Sequence, residues 1–96
     1  MIQNGSKPRP KLTSDRWFVY VLRCADGTLY TGIAKDVTRR CQQHNAGTAS
    51  RYTRSRLPVL IVYEEIHASK SLALKREAGV KGMTRREKLA LIRLAL

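Results

Sequence analysis

The stretch "WFVYVLRCADGTLYTGIA", residues 17 to 34, decides the fold. Two apolar, β-branched runs flank Asp26-Gly27, which is the pattern of a β-hairpin. Side chains alternate faces along a strand, so the length of the loop fixes which residues share a face. A two-residue Asp-Gly turn pairs Cys24 with Leu29 and sends Tyr20 and Tyr30 to opposite faces. A three-residue loop, Ala25-Asp26-Gly27 with Gly27 left-handed, pairs Leu22 with Tyr30 and Tyr20 with Gly32. Both tyrosines then lie on one face. Both loops are common hairpin classes, and turn chemistry slightly favours the shorter one. The sequence leaves the choice open.

Downstream, Asp36 is placed to cap a helix that runs to Asn45-Ala46 and stops at Gly47. The segment "TASRYTRSRLP" reads as a loop carrying Arg51, Arg54 and Arg56 around Tyr52. "PVLIVYEEI" reads as a third strand, and its unbroken apolar start suggests a central position covered on both faces. Ser69 caps a second helix over residues 70–82, with Leu72, Ala73, Val80 and Met83 on or near its inner face. "TRRE" at 84–87 is a capping box that opens a third helix with Leu89, Ile92 and Leu96 in a stripe. The order β-β-α-β-α-α predicts an α/β (α+β) domain over residues 17–96. It is a small, three-stranded, mostly antiparallel sheet flanked by three helices. Residues 1–16, polar and broken by Pro8 and Pro10, read as a flexible basic tail.

With 96 residues the chain is one domain and buries only about 60–65% of its unfolded surface. Nineteen Lys and Arg against seven Asp and Glu give a net charge of +12. Such an excess of one sign calls for a polyanionic partner, and nucleic acid leads. Membrane binding fits poorly, because no amphipathic helix has a broad aromatic face and no apolar run approaches a membrane span. The N-terminus lacks the apolar core of a signal peptide, so a cytoplasmic protein is expected. Cys24 and Cys41 are too few for a disulfide scaffold and sit among apolar neighbours, as small hydrophobes of a reducing compartment do. His44 and His67 share no zinc-ligand spacing. No obligate protein partner is inferred.

Against this background the helix after Asp36 is unusual. Val37 and Cys41 are its core-type residues, and Arg39, Arg40 and His44 crowd the rest. Arg40 and His44, four apart, share a face that borders the buried side. A solvated basic face is the plain alternative. Glu77 is the third candidate, because the other acids have turn, cap, tail or strand-end positions. It sits mid-helix between Ala73 and Val80, with Lys81 four residues on. It reads either as one half of a surface Glu–Lys pair or as a lone carboxylate anchoring Mg²⁺ beside a phosphate. Arg51, Arg54 and Arg56, with Tyr52 available to stack on a base, are candidates for nucleic-acid contact, as is Arg39.

Taken in order, "FVY" at 18–20, "YTG" at 30–32, Arg40 and His44, then Glu77 within "LALKREAGVKGM" resemble the GIY-YIG nuclease superfamily. Residues 17 to about 92 are similar to its small stand-alone URI-type members and the uncharacterised bacterial proteins related to them. The first triplet has Phe-Val-Tyr for Gly-Ile-Tyr, and Thr31 replaces the isoleucine of the second. The resemblance implies a metal-dependent endonuclease that hydrolyses phosphodiester bonds, with DNA favoured and RNA open. A non-catalytic DNA- or RNA-binding module on the same fold is the alternative. It implies one Mg²⁺ or Mn²⁺ on Glu77 near the leaving oxygen, and Arg40 as the charge stabiliser. Tyr20 would take the proton from water, directly or with Tyr30, and Arg40 and the metal would raise its ionised fraction. His44 would hydrogen-bond a tyrosine or the phosphate. Gly32 would let backbone and substrate approach.

Overall fold

The computed structural model describes residues 16–95. The expected tail falls outside them apart from Arg16, and so does Leu96. The elements are β1 (Trp17–Arg23), β2 (Leu29–Ala34), α1 (Val37–Asn45), α2 (Arg51–Arg54), β3 (Leu60–His67), α3 (Lys70–Lys81) and α4 (Arg85–Leu94). The strands form one antiparallel sheet in the order β2-β1-β3.

The hairpin takes the three-residue loop. Cys24 N–H donates to the Thr28 carbonyl at 2.8 Å, and Gly27 has φ +85°. The Asp26 carboxylate accepts from the Thr28 amide and hydroxyl, at 3.1 and 2.6 Å, and so favours this loop over the tighter turn. Tyr20 therefore faces Gly32 across the ladder, and Leu22 faces Tyr30.

The expected central position of the third strand is not what forms. β1 is central, and Val19, Tyr20, Val21 and Leu22 are at most 1% exposed. β3 is an edge, with Leu60 59% and Ile66 49% exposed. An apolar run marks a strand covered on both faces, and "FVYVL" has that property as much as "VLIV". A shift of pairing register opposite Val21 and Leu22 interrupts the β3 run.

Alternation along β1 splits the core into two layers. Tyr20, Leu22, Cys24 and Ala34 pack with Val37 and Val59, and with the half-buried Cys41 and Tyr30, beneath α1. Both cysteines are free. Val19 and Val21 point to the other layer, which α3 covers with its buried Ala73 and Val80. Arg76 of α3 pairs with Glu65, the β3 partner of Val19, at 2.9 Å, and Lys70 lies 5.1 Å from the Trp17 ring. Leu72, expected on the inner face of α3, is 49% exposed. Burial follows Ala73 and Val80, seven apart, and Leu72 lies a full helical step off their line.

Caps expected from the sequence form as read. Asp36 accepts from Arg39 N–H, Ser69 from Leu72 N–H, and Thr84 and Glu87 complete a capping box. The segment expected as a loop contains α2, a single helical turn whose Ser50 cap accepts from Thr53 N–H at 3.3 Å. α1 is fastened to the start of β3 by the Asn45 amide, which donates to the Val59 carbonyl at 3.1 Å and accepts from its N–H at 2.8 Å. α4 buries none of its residues, although Ile92 is half-covered. Among the described residues no helix is long and apolar enough to cross a membrane.

Candidate active site

The site starts from the pairing of Tyr20 with Gly32. A β-carbon at position 32 would lie 2.5 Å from Tyr20 Oη and 2.7 Å from Cζ. Glycine is required there because the phenol of the neighbouring strand fills the space. The space left open at Gly32 is filled by the Tyr20 side chain.

From Tyr20 a chain of polar contacts runs through the interior. Tyr20 Oη lies 2.9 Å from His44 Nε2, and His44 Nδ1 lies 2.8 Å from Thr53 Oγ1. The Thr53 hydroxyl also lies 3.4 Å from the Ser50 carbonyl. Tyr20, His44 and Thr53 are all at most 1% exposed. The Tyr30 ring meets the His44 edge with centroids 5.1 Å apart. The face shared by Arg40 and His44 points inward, so α1 spends part of its buried surface on polar groups.

Arg40 joins the group as a positive charge that acts on both Tyr20 and His44. Its Nη1 donates to Gln43 Oε1 at 2.9 Å. Burial pushes the Tyr20 phenol up to about 12, aided by the Glu77 charge, and outweighs the lowering by Arg40. By itself Arg40 does not offset the burial, and the phenol stays protonated at pH 7. Desolvation holds His44 below the usual imidazole range, and Arg40 adds to the effect. At pH 7 the pair is a protonated tyrosine beside a neutral histidine.

Glu77 approaches from the other layer. Arg76 leans to β3, where it pairs with Glu65, and Glu77 occupies the opposite flank of the Ala73–Val80 line. Its carboxylate lies 3.4 Å from Lys81 Nζ, so the intrahelical pair exists, yet its charge also reaches Tyr20. Among the described residues no three His, Cys, Asp or Glu side chains cluster as a ready-made metal cage. A lone carboxylate still suits Mg²⁺, which keeps several waters and takes its remaining ligands from a substrate phosphate.

Tyr20, Tyr30, Arg40 and His44 are thus close to one another, and Glu77 acts on Tyr20 from the other layer through its charge. The basic loop is not uniform. Arg56 Nε bonds Asp26 Oδ2 at 3.1 Å, its Nη1 donates to the Tyr52 carbonyl at 2.7 Å, and its guanidinium covers the Tyr52 ring at 3.9 Å. Tyr30 stacks on Tyr52 with centroids 6.0 Å apart. Tyr52, expected to be available to stack on a base, is contacted by Arg56 and Tyr30 while still 38% exposed, and Arg56 clasps α2 to the hairpin turn. Arg39, Arg51 and Arg54 are exposed. Beside Tyr30, a cavity of about 250 Å³ is lined by Leu29, Tyr30, Thr31, Tyr52, Lys81 and Lys88. Thr53 escaped the sequence reading. Ser50 three residues before it, in cap position, was the available sign of an ordered turn.

The GIY-YIG catalytic domain model matches residues 16–90. A UPF0213 protein of Staphylococcus aureus is 52% identical over 79 residues, which is 82% of this chain and 96% of the relative. Two solution NMR structures are similar. A UPF0213 protein from Bacillus halodurans has 40% identity and a TM-score of 0.54. A protein from E. faecalis has 36% identity and a TM-score of 0.57. Each comparison covers 82% of this chain and 84% of that one. With Tyr20, Tyr30 and Gly32 on one hairpin, His44 bonded to the first tyrosine, and the family model matching most of its length, the chain belongs to the GIY-YIG family.

Proposed function

We propose that the protein is a divalent-metal-dependent endonuclease that hydrolyses phosphodiester bonds in nucleic acid, DNA in preference. The observation that carries this reading is the buried Tyr20 hydroxyl, bonded to neutral His44 and acted on by the charges of Arg40 and Glu77. Phosphodiester hydrolysis needs a group that takes the proton of water, a cation for the pentavalent phosphorus and help for the leaving oxygen. Tyr20 and His44 supply the first. Arg40 supplies the second, since its guanidinium stays charged and grips phosphate oxygens in pairs. Mg²⁺ or Mn²⁺ held by Glu77 would supply Lewis-acid stabilisation of the leaving oxygen.

Surface charge supports a polyanionic substrate. Lys81 and Lys88 line the cavity beside Tyr30, and Arg23 and Arg85 line one of about 370 Å³ at the hairpin turn. Arg85, Arg86 and Arg93 line a third along α4. Among the described residues no acidic one lines any of the three. A helix that buries none of its side chains and carries this much charge suits contact with phosphates.

The Glu77–Lys81 pair favours a second reading, a binding module that has lost cleavage. Incubation with branched, single-stranded and duplex DNA and RNA, in Mg²⁺ or Mn²⁺, separates the two. Metal-dependent strand scission supports the nuclease. Retained binding with no scission on the whole panel replaces it with the binding module.

A further inference from the structure

The chain Tyr20–His44–Thr53–Ser50 carries a direction. Among the described residues, His44 Nε2 is the acceptor within hydrogen-bond reach of Tyr20 Oη. Arg40 has only protons to give, so the phenol has one place to send its own. At the other end, the Thr53 hydroxyl has the Ser50 carbonyl to donate to, three residues back in the same helical turn. That leaves the threonine oxygen free to accept from His44 Nδ1. The opposite arrangement puts the imidazole proton on Nε2. It would set a donor against the Tyr20 hydroxyl and leave the phenol proton with no acceptor, at a residue that is 1% exposed. Buried donors without acceptors are the costly case.

We propose that Thr53 is a positioning residue, whose hydroxyl holds neutral His44 with its proton on Nδ1 so that bare Nε2 accepts from Tyr20. In hydrolysis, the attacking water's O–H bond breaks as Tyr20 Oη gains that proton. The Tyr20 O–H bond breaks in the same event as Nε2 gains the second. The water oxygen bonds to phosphorus as the scissile P–O bond breaks, the departing oxygen takes a proton from solvent, His44 becomes imidazolium, and Tyr20 ends as it began. Such a relay needs no free phenolate, which burial makes scarce. The imidazolium formed next to Arg40 is disfavoured there and returns its proton readily. The relay rests on the nuclease reading, whereas the tautomer of His44 does not.

A long-range ¹H–¹⁵N correlation spectrum of the full chain reads the tautomer directly, with His67 identified by comparison with His67→Gln. Wild type is expected to show His44 protonated on Nδ1 and bare on Nε2. Thr53→Ser, which keeps the hydroxyl, should preserve that pattern, and Thr53→Val should move His44 toward the Nε2–H form. An Nε2–H signal in wild type would overturn the proposal even if no variant folds. So would an unchanged tautomer in folded Thr53→Val. On a substrate the wild type cleaves, Thr53→Val should lower kcat by about 10²-fold or more with KM little changed, and Thr53→Ser should restore it. Equal rates in the two variants would overturn the relay. The expected tautomer in a wild type that cuts nothing would end the nuclease reading and the relay with it, leaving the Thr53–His44 assignment in place.

Discussion

Tyr20 and Gly32 occupy each other's space: the tyrosine hydroxyl stands 2.5 Å from where a β-carbon of residue 32 would be. The ring cannot step aside, because it is buried against His44 and its hydroxyl is tied to Nε2. One missing methyl group thereby places the phenol at the centre of the site.

Gly32→Ala should accordingly cost about 1–3 kcal/mol, the usual penalty for overfilling a packed interior. The measurement is the urea midpoint, with the His44 ring ¹⁵N shifts as the local probe. Unchanged stability together with unchanged His44 shifts would mean that the ring has another place to go.

Arg40→Ala removes the cation beside Tyr20 and His44. Cleavage should fall about 10²–10³-fold, as for loss of one preorganised donor, while folding is largely kept. Single-turnover rates check this. A loss confined to KM would make Arg40 a binding residue.

Glu77→Gln keeps the shape of the side chain and removes its charge. Metal-dependent turnover should vanish, and nucleic-acid affinity should hold or rise because a negative charge leaves a cleft that meets polyanions. Opposite movement of rate and affinity marks a metal ligand. A fall in thermal stability with cleavage unchanged would assign Glu77 to its Lys81 pair alone.

The arginines of α2 and its flank should divide into two kinds. Arg56→Ala breaks the contacts to Asp26 and to Tyr52, and should cost about 1 kcal/mol of stability. Arg51→Ala with Arg54→Ala should leave stability nearly unchanged. Each lost phosphate contact should flatten the salt dependence of duplex binding by about 0.9 log unit. Denaturation curves and binding titrations over a range of salt test both halves. A slope change only in Arg56→Ala would reverse the assignment.

Stability should also depend on His44. Its folded pKa is depressed below the ordinary 6.5, so the unfolded chain takes up the proton first as the pH falls. The unfolded state then binds more protons than the native one, and stability rises with pH in that window. The contribution is complete above about pH 7 and is lost below 6.5 until the folded value is reached. Melting temperatures from pH 5 to 8 should show this slope, and it should flatten in His44→Gln. An equal slope in that variant would place the responsible group elsewhere.

Local rules carried much of this protein. Asp36, Ser69 and the Thr84–Glu87 box fix helix starts through contacts three residues long, and each was legible in the chain. So was the shared face of Arg40 and His44, and the position of Glu77 between Ala73 and Val80, because helical spacing alone sets them. The hairpin itself was legible, but its register was not. Two turns of similar intrinsic cost compete at Asp26-Gly27, and burial of both tyrosines' face beneath α1 accompanies the longer one. Strand order was equally open, since β1 and β3 are both apolar runs and only the packed sheet distinguishes centre from edge. The partners of the site lie further apart: Tyr20 and His44 by 24 residues, Asp26 and Arg56 by 30. Spacing along the chain has no bearing on such pairs. They form because two surfaces are buried together, and the polar groups enclosed between them must find one another.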